Sequence, residues 1–588
     1  MSCTATTTAP TRWPIALTSA CLLLLLALAA CTTGDSASST SAKGESAQSW
    51  SPAKLTSVKG VPAAQIEAEM QQELNSRRPP RIDDKQWART QRLYKIYGNN
   101  PLWLDSDGLH RTRTKALTDA LLNAHSDGMR MEAYPIGELA QSIANIRSTK
   151  QPTAEQLAHT DVMLTASYAA LGEDLLTGQV DPKSVGQSWY VDPQDENVDS
   201  ALVRNLRFEA LDKALAGMRP AEEDYLGLRR ELLRYREIVA KGGWQPIPAT
   251  KLVKPGEPLS AAVATALRNR LAVEGIVVAA GPATASMIPQ ATPAAARGTY
   301  DRGLASAVAL YQSRHAIAVD SSLGKETLES MNVTASARLA QIAANMERFR
   351  WLPRSFGSRY ILVNVPAFRL EAYDGNKKAL EMKVIVGQEY EGRITPVFAD
   401  SMEYVVFRPY WLVTPDIARE EIFPKGAAYI AKENMEVYTA QGQQRIRQKP
   451  GPKNSLGLIK FMFPNDFNIY LHDTPNDELF KKDVRAFSHG CIRLEKPDAL
   501  AQFVLGWDQA KIQEAMQNGP DDKSVKLPSK IPVYIAYFTT YIANNQLHFG
   551  NDLYSRDDKL IPAIMTGAMP TKETVDAVQA LRRIAAGA

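Results

Sequence analysis

Ser488-His489-Gly490-Cys491-Ile492-Arg493, with His472 nineteen positions before the cysteine in Tyr470-Leu471-His472-Asp473-Thr474, is the stretch on which the reading of this chain turns. Cys491 is the only cysteine beyond residue 31. It has no partner for an internal disulfide downstream of the N-terminal segment, and one sulfur among scattered histidines is a poor zinc site. A thiol flanked by glycine, with an imidazole arriving from a separate strand, is what a cysteine acyl-transfer centre requires. The imidazole takes the thiol proton, and the glycine lets backbone N–H groups approach a developing oxyanion. A lone cysteine is more often a small buried hydrophobe and a lone histidine a satisfied polar residue, but here the surroundings favour chemistry. In Phe467-Asn468-Ile469-Tyr470-Leu471-His472 the apolar Ile469 and Leu471 alternate with Asn468, Tyr470 and His472, the pattern of a half-buried strand. Tyr470 and His472 are therefore expected on one face.

These residues resemble the L,D-transpeptidases with a YkuD-type catalytic domain. Their signature is a histidine, a spacer of about fifteen residues, then Ser/Thr-His-Gly-Cys, an apolar residue, and Asn or Arg. This chain supplies His472, fifteen intervening residues, Ser488-His489-Gly490-Cys491, Ile492 and Arg493. The resemblance extends to Asn345-Met346-Glu347-Arg348-Phe349-Arg350-Trp351-Leu352-Pro353, to Pro450-Gly451-Pro452-Lys453-Asn454-Ser455-Leu456-Gly457 and to His472-Asp473-Thr474-Pro475, and is similar to the large multidomain branch of the family.

The resemblance implies an α+β multidomain chain and a chemistry. Cys491 is expected to attack the bond between the third and fourth residues of a peptidoglycan stem tetrapeptide and to release D-alanine, with His472 as general base and then acid. An amine of a neighbouring stem then resolves the thioacyl-enzyme to give a 3-3 cross-link. Donor and acceptor stems are the expected partners, and neither cofactor nor metal is implied. Backbone N–H groups of Gly490 and Cys491 are candidates for the oxyanion hole. Tyr470, Ser488, His489 and Arg493 are candidates for ordering the loop or binding substrate, and Trp411 for holding it. Asp473 is expected on the strand face opposite His472, which excludes it as a triad acid and leaves open what orients the imidazole. Two other classes stay open: a cysteine peptidase in which water resolves the thioacyl, and a wall-anchoring lipoprotein.

The 588 residues, 45% hydrophobic and 22% charged, fit several globular domains. A net charge of +4 without a dense basic run argues against nucleic acid as a partner. Residues 1–30 carry Arg12 and a leucine-rich apolar run ending Leu28-Ala29-Ala30-Cys31, which resembles a lipoprotein signal. Thr18 and Ser19 interrupt the run, which suits a cleaved signal better than a membrane-spanning anchor. Lipidation is expected at Cys31, anchoring the chain on the periplasmic face of the envelope. Thr32 in place of aspartate leans toward the outer membrane. Residues 31–60, rich in Ser, Ala, Thr and Gly, read as a flexible tether.

Residues 61–250 show helical spacing, as in Leu117, Ala120, Leu121 and Ala124 and in Leu226, Leu232, Leu233 and Tyr235. They are expected to form a scaffold domain. Residues 251–333 form a smaller helical unit, with Leu259, Val263, Leu267 and Leu271 four apart and Leu304, Val308 and Tyr311 on a second helix. This unit resembles a peptidoglycan-binding module in Tyr311-Gln312 and Gly324-Lys325-Glu326-Thr327. It departs at His315-Ala316-Ile317 and Asp320-Ser321, where the turn glycines are missing, and glycan binding is left open. A connecting helix is expected over 334–357. From 358 to 540 the period changes to two, in Tyr360–Val365, Met382–Val386 and Tyr404–Phe407. This predicts a mostly β catalytic domain. Residues 409–455, around Trp411 and Tyr438, read as an inserted capping subdomain or lid. A helix is expected to start near Lys496, with Pro497 in its first turn and Leu500, Phe503 and Val504 inward. Residues 541–588 read as a C-terminal extension.

Overall fold

The computed structural model describes residues 50–588 apart from 77, 187, 192–196, 279–297, 391, 566–571 and 586–588. The segment expected to carry the signal and Cys31, and most of the Ala/Pro-rich stretch near 281–298, lie outside the described residues. Among the described residues, no helix is long and apolar enough to cross a membrane.

The scaffold region is built around the Ala154–Thr177 helix, which is buried along nearly its whole length. Leu157, Val162, Leu164, Leu171 and Leu175 leave it apolar on every side, as the central helix of a bundle must be. Asp161 survives inside this surround because it accepts hydrogen bonds from Leu102 N–H at 3.0 Å, Trp103 N–H at 2.7 Å and the Tyr94 hydroxyl at 2.6 Å. Burial still pushes its carboxyl up to about 6. These bonds fasten the Asn100-Pro101-Leu102-Trp103-Leu104-Asp105 loop. The Glu223–Ala240 helix corrects one expectation: Leu226 and Leu233 face solvent, and the buried residues are Tyr225, Leu228, Leu232 and Tyr235. That stripe recurs every three or four residues, and the exposed leucines sit one position off it.

In the 251–333 unit, Leu259 is buried but precedes the Ala261–Val273 helix, which starts at the Ser260 cap. Asp301 caps the following Arg302–Arg314 helix by accepting from Leu304 N–H. Ala316 and Ser321, at the turns where glycine was expected, hold φ of +51° and +59°, each at a cost of about 1–2 kcal/mol. Gln312 offsets it. Its amide donates to Asp320, the Ser322 carbonyl and Thr327, and its carbonyl accepts from Ser321 N–H.

The Ala335–Arg350 helix is tied by buried polar contacts on both of its sides. Arg350 donates to the Asp127 carbonyl and pairs with Glu347. Glu347 accepts from Val180 N–H at 2.7 Å, and the Trp351 indole donates to the Val180 carbonyl at 2.8 Å. On the other side Arg348 pairs with Asp557, and Asn345 bonds Thr539. Burial makes single-partner loss costly here, because each removal strands a charge. The Asn345-to-Pro353 motif is therefore a joint between the scaffold and the catalytic domain.

Eight strands of the catalytic domain close into a ring: β1 (Arg359–Asn364), β2 (Arg369–Asp374), β3 (Lys377–Gly387), β4 (Val397–Phe407), β5 (Ile459–Met462), β6 (Leu471–His472), β7 (Ile492–Leu494) and β8 (Lys523–Ala536). Around the ring the order is β1, β2, β3, β7, β6, β5, β4, β8 and back to β1. The β6–β7 and β8–β1 pairs are parallel, and the other six are antiparallel. Closure removes the free edges that an open sheet would present. The scaffold region reaches in as well: strand Trp189–Tyr190 pairs in parallel with the start of β4. The insertion carries its own three-stranded sheet of Trp411–Leu412, Gln443–Gln448 and Met435–Ala440, with a small core of Val413, Ala418, Ile422, Met435 and Ile446. It is a folded subdomain and not a loop. Residues beyond 540 are integrated too: hairpin Thr540–Ala543/Gln546–Phe549 supplies Phe549 to the catalytic core, and helix Lys572–Ala585 packs on the scaffold helices Ile136–Ser148 and Arg111–Asn123.

Candidate active site

Cys491 immediately precedes β7, and Tyr470 immediately precedes β6. The parallel register pairs Leu471 with Ile492 and His472 with Arg493, and the Ile492 N–H donates to the Tyr470 carbonyl at 3.1 Å. Because side chains alternate along a strand, Tyr470, His472, Cys491 and Arg493 share one face. The Tyr470 and His472 rings lie 5.7 Å apart. Ile469, Leu471, Ile492 and Leu494 point the other way into the core, each burial stabilising by about 1.5–3 kcal/mol. A one-residue slip of either strand would exchange the two sets.

The imidazole is oriented by a backbone group. His472 Nδ1 donates to the carbonyl of Asp473 at 2.6 Å, which leaves Nε2 as the basic nitrogen. The Asp473 side chain turns away and accepts from Leu458 N–H at 2.7 Å and Thr474 N–H at 2.7 Å. Asp473 thus fixes the imidazole through its main chain. Gly457, at φ +61°, lies against that carboxylate, and a Cβ there would come within 2.3 Å of it.

Gly490 has φ +114°, a conformation that side chains rarely adopt, although a Cβ would meet only ordinary contacts from Ile394 and Ile469. Its N–H donates to Ser488 Oγ at 3.2 Å, and that hydroxyl donates to the Cys491 carbonyl at 2.5 Å. The Gly490 N–H, one of the two oxyanion candidates, is thus engaged by Ser488 in this structure. Among the described residues, the Cys491 N–H has no protein acceptor and is the donor left for an oxyanion. Its peptide plane is fixed by a residue that sequence reasoning missed. The Thr395 hydroxyl, fully buried, donates to the Gly490 carbonyl at 2.8 Å and accepts from Gly387 N–H at 3.0 Å. Tyr554, in the 541–588 segment, supports this arrangement by donating to the Gly387 carbonyl at 2.8 Å and accepting from Thr395 N–H at 3.2 Å. No signal short of the fold links positions 395 and 554 to 490.

The resting pair is neutral. Burial pushes the Cys491 thiol up to about 11, although hydrogen bonds from Tyr470 and the charge of Arg493 favour the thiolate. Burial also holds the His472 imidazole down to about 3, with Arg493 and Lys460 adding to the effect. The thiol is aimed at the Asn468 carbonyl, 3.7 Å from Sγ. Arg493 Nε is buried with no hydrogen-bond partner among the described residues. His489 points away from this face, its Nε2 against Glu421 of the insertion at 2.7 Å. Trp411 is half-buried and packs against the small core of the insertion. Exposed Tyr190 from the scaffold strand stands on Phe467, ring centroids 4.7 Å apart.

Residues 358–533 match the L,D-transpeptidase catalytic domain called YkuD, and residues 88–232 match the scaffold domain. A Haemophilus influenzae protein named "Putative L,D-transpeptidase" is 30% identical over 272 residues, covering 42% of this chain and 54% of its own length. The chain thus spans about half of that relative. A solved L,D-transpeptidase from Xylanimonas cellulosilytica aligns over 50% of this chain and 100% of its own at 14% identity, with a TM-score of 0.15 that supports no argument. Residues 358–533 are thus similar to the YkuD family of L,D-transpeptidase catalytic domains, and the stretch upstream to a scaffold domain.

Proposed function

We propose that this protein is a peptidoglycan L,D-transpeptidase in which Cys491 attacks the carbonyl between the third and fourth residues of a stem tetrapeptide. The observation that carries the reading is the shared face of Cys491, His472, Tyr470 and Arg493 across the parallel β6–β7 pair. With both groups neutral at rest, His472 Nε2 removes the thiol proton as the C–S bond forms, rather than storing a preformed ion pair. Tyr470 hydrogen bonding steadies the developing charge on sulfur, and the Cys491 N–H receives the oxyanion. His472 returns the proton to the departing D-alanine nitrogen. It then takes a proton from the amine of an acceptor stem, which attacks the thioester and regenerates the thiol in a 3-3 cross-link. The Arg493 guanidinium, whose buried Nε has no partner among the described residues, fits a stem carboxylate. Lipidation at Cys31 and tethering through residues 31–60 would place the enzyme at the periplasmic face of the envelope.

Incubation with a tetrapeptide donor should release D-alanine from the wild type and none from Cys491→Ala, with His472→Ala slowed by about 10²–10⁴-fold. A carbapenem should add one inhibitor mass on the Cys491 peptide. A folded wild type that stays unmodified by both donor and carbapenem would refute the reading. The lipid anchor is checked separately by mass analysis of the peptide beginning at Cys31.

A further inference from the structure

We infer that Glu421 is a positioning residue that latches the 409–455 insertion onto the nucleophile loop. Glu421 lies in the five-residue π-helical turn Ala418–Ile422, a widened turn that is rare and is found mostly where function demands it. Its Oε1 accepts from His489 Nε2 at 2.7 Å and from Arg393 Nη2 at 2.9 Å. His489 is the residue between Ser488 and Gly490. Arg393 also donates to Gln388 Oε1 at 3.1 Å, and Gln388 N–H donates to the Ser488 carbonyl at 3.0 Å. One carboxylate oxygen therefore gathers three separate segments: the insertion, the 388–394 loop and the Ser-His-Gly-Cys loop.

Among the described residues, no other hydrogen bond or ion pair joins the insertion to the nucleophile loop, and Glu420 adds only a 4.0 Å approach to Arg393. The neighbouring Arg419 is drawn off by Asp416 and Glu420. His489 and Arg393 together hold the Glu421 carboxyl below its ordinary range, His489 being the larger influence. Both partners are charge-assisted donors, about twice as strong as neutral ones. The insertion's own sheet and core do not extend to the loop, so among the described residues this contact is what ties the insertion to the nucleophile loop. A stem peptide must enter while the latch is open and be acylated while it is closed.

The catalytic consequence rests on the transpeptidase reading, but the latch itself can be read without turnover. In the full chain, alkylation of the Cys491 peptide by iodoacetamide, followed by mass spectrometry, reports how open the loop is. Glu421→Ala should raise that rate severalfold while lowering D-alanine release about tenfold, mainly in kcat, with thermal melting unchanged. Glu421→Gln, which keeps one acceptor, should fall between. His489→Ala should reproduce the effect, and the double variant should be no worse than either single. Wild-type rates in Glu421→Ala, or losses that multiply in the double variant, would overturn the inference. A wild type that releases no D-alanine would instead defeat the transpeptidase reading and leave the alkylation comparison standing as the test of the latch.

Discussion

Replacing Thr395 by valine removes one hydroxyl and little else, and the structure assigns that hydroxyl two jobs. It donates to the Gly490 carbonyl at 2.8 Å and accepts from Gly387 N–H at 3.0 Å. Valine fills the same space and leaves both backbone groups buried and unpaired, at about 1–3 kcal/mol each. The catalytic effect follows from the planarity of the peptide bond: the carbonyl of Gly490 and the N–H of Cys491 belong to one rigid unit. Freeing the first lets the second swing, and losing one oxyanion donor costs about 10²–10³ in rate. Single-turnover acylation by a tetrapeptide donor should therefore slow by up to about a hundredfold in Thr395→Val, at a temperature where the variant remains folded. Thr395→Ser keeps the oxygen and should stay within a few-fold of wild type. If Thr395→Val acylates at the wild-type rate, or if Thr395→Ser is as impaired as valine, the oxyanion donor is not aimed by this hydroxyl.

Gly457→Ala would drive a Cβ to 2.3 Å from the Asp473 carboxylate, and denaturant unfolding should show a loss of about 2–4 kcal/mol together with slower acylation. With the thiol raised to about 11, alkylation of Cys491 in the absence of substrate should keep rising with pH past about 10, where a free cysteine of pKa about 8.5 has levelled off; a profile with its midpoint at about 8.5 would mean an unperturbed thiol. His472, held down to about 3 in the folded chain, binds fewer protons folded than unfolded between about 3 and its unfolded value near 6.5. Its contribution to stability is therefore present above about 6.5 and is lost as pH falls toward 3. His472→Gln should flatten that part of a stability-versus-pH curve. Tyr554→Phe strands the Gly387 carbonyl and Thr395 N–H, and should lower the acylation rate about tenfold in spite of its place far along the chain, which a donor-release assay can check.

The local half of the site was legible because it is written in strand alternation and helix punctuation. Ile469 and Leu471 set the face of Tyr470 and His472, and Pro497 opens a helix that runs to Leu505 with Leu500 and Val504 buried. The separate half was not. Ring closure joins Ile459–Met462 to Val397–Phe407 across a subdomain that interrupts the pattern, and no periodicity records that pairing. Thr395, Glu421 and Tyr554 are polar residues in unremarkable surroundings whose roles exist only once the chain has brought them to the loop. The orientation of His472 escaped for another reason: its partner is a main-chain carbonyl, which every residue has. In the 251–333 unit the missing glycines bore on glycan binding and not on the fold, and Ala316 and Ser321 take the left-handed turns, the second with its N–H bonded to Gln312.

The dependence of the Gly490 loop on Tyr554 has a temporal side. A polypeptide is made, and passes through any membrane pore, from its amino end, so Cys491 and His472 emerge before the hydroxyl that completes their support. Until residue 554 has followed, the Gly387 carbonyl and Thr395 N–H lack their partner and the oxyanion peptide is unsecured. The nucleophile loop is in this way completed last, and a chain broken anywhere between 491 and 554 lacks the hydroxyl that supports the Thr395 and Gly387 contacts behind it.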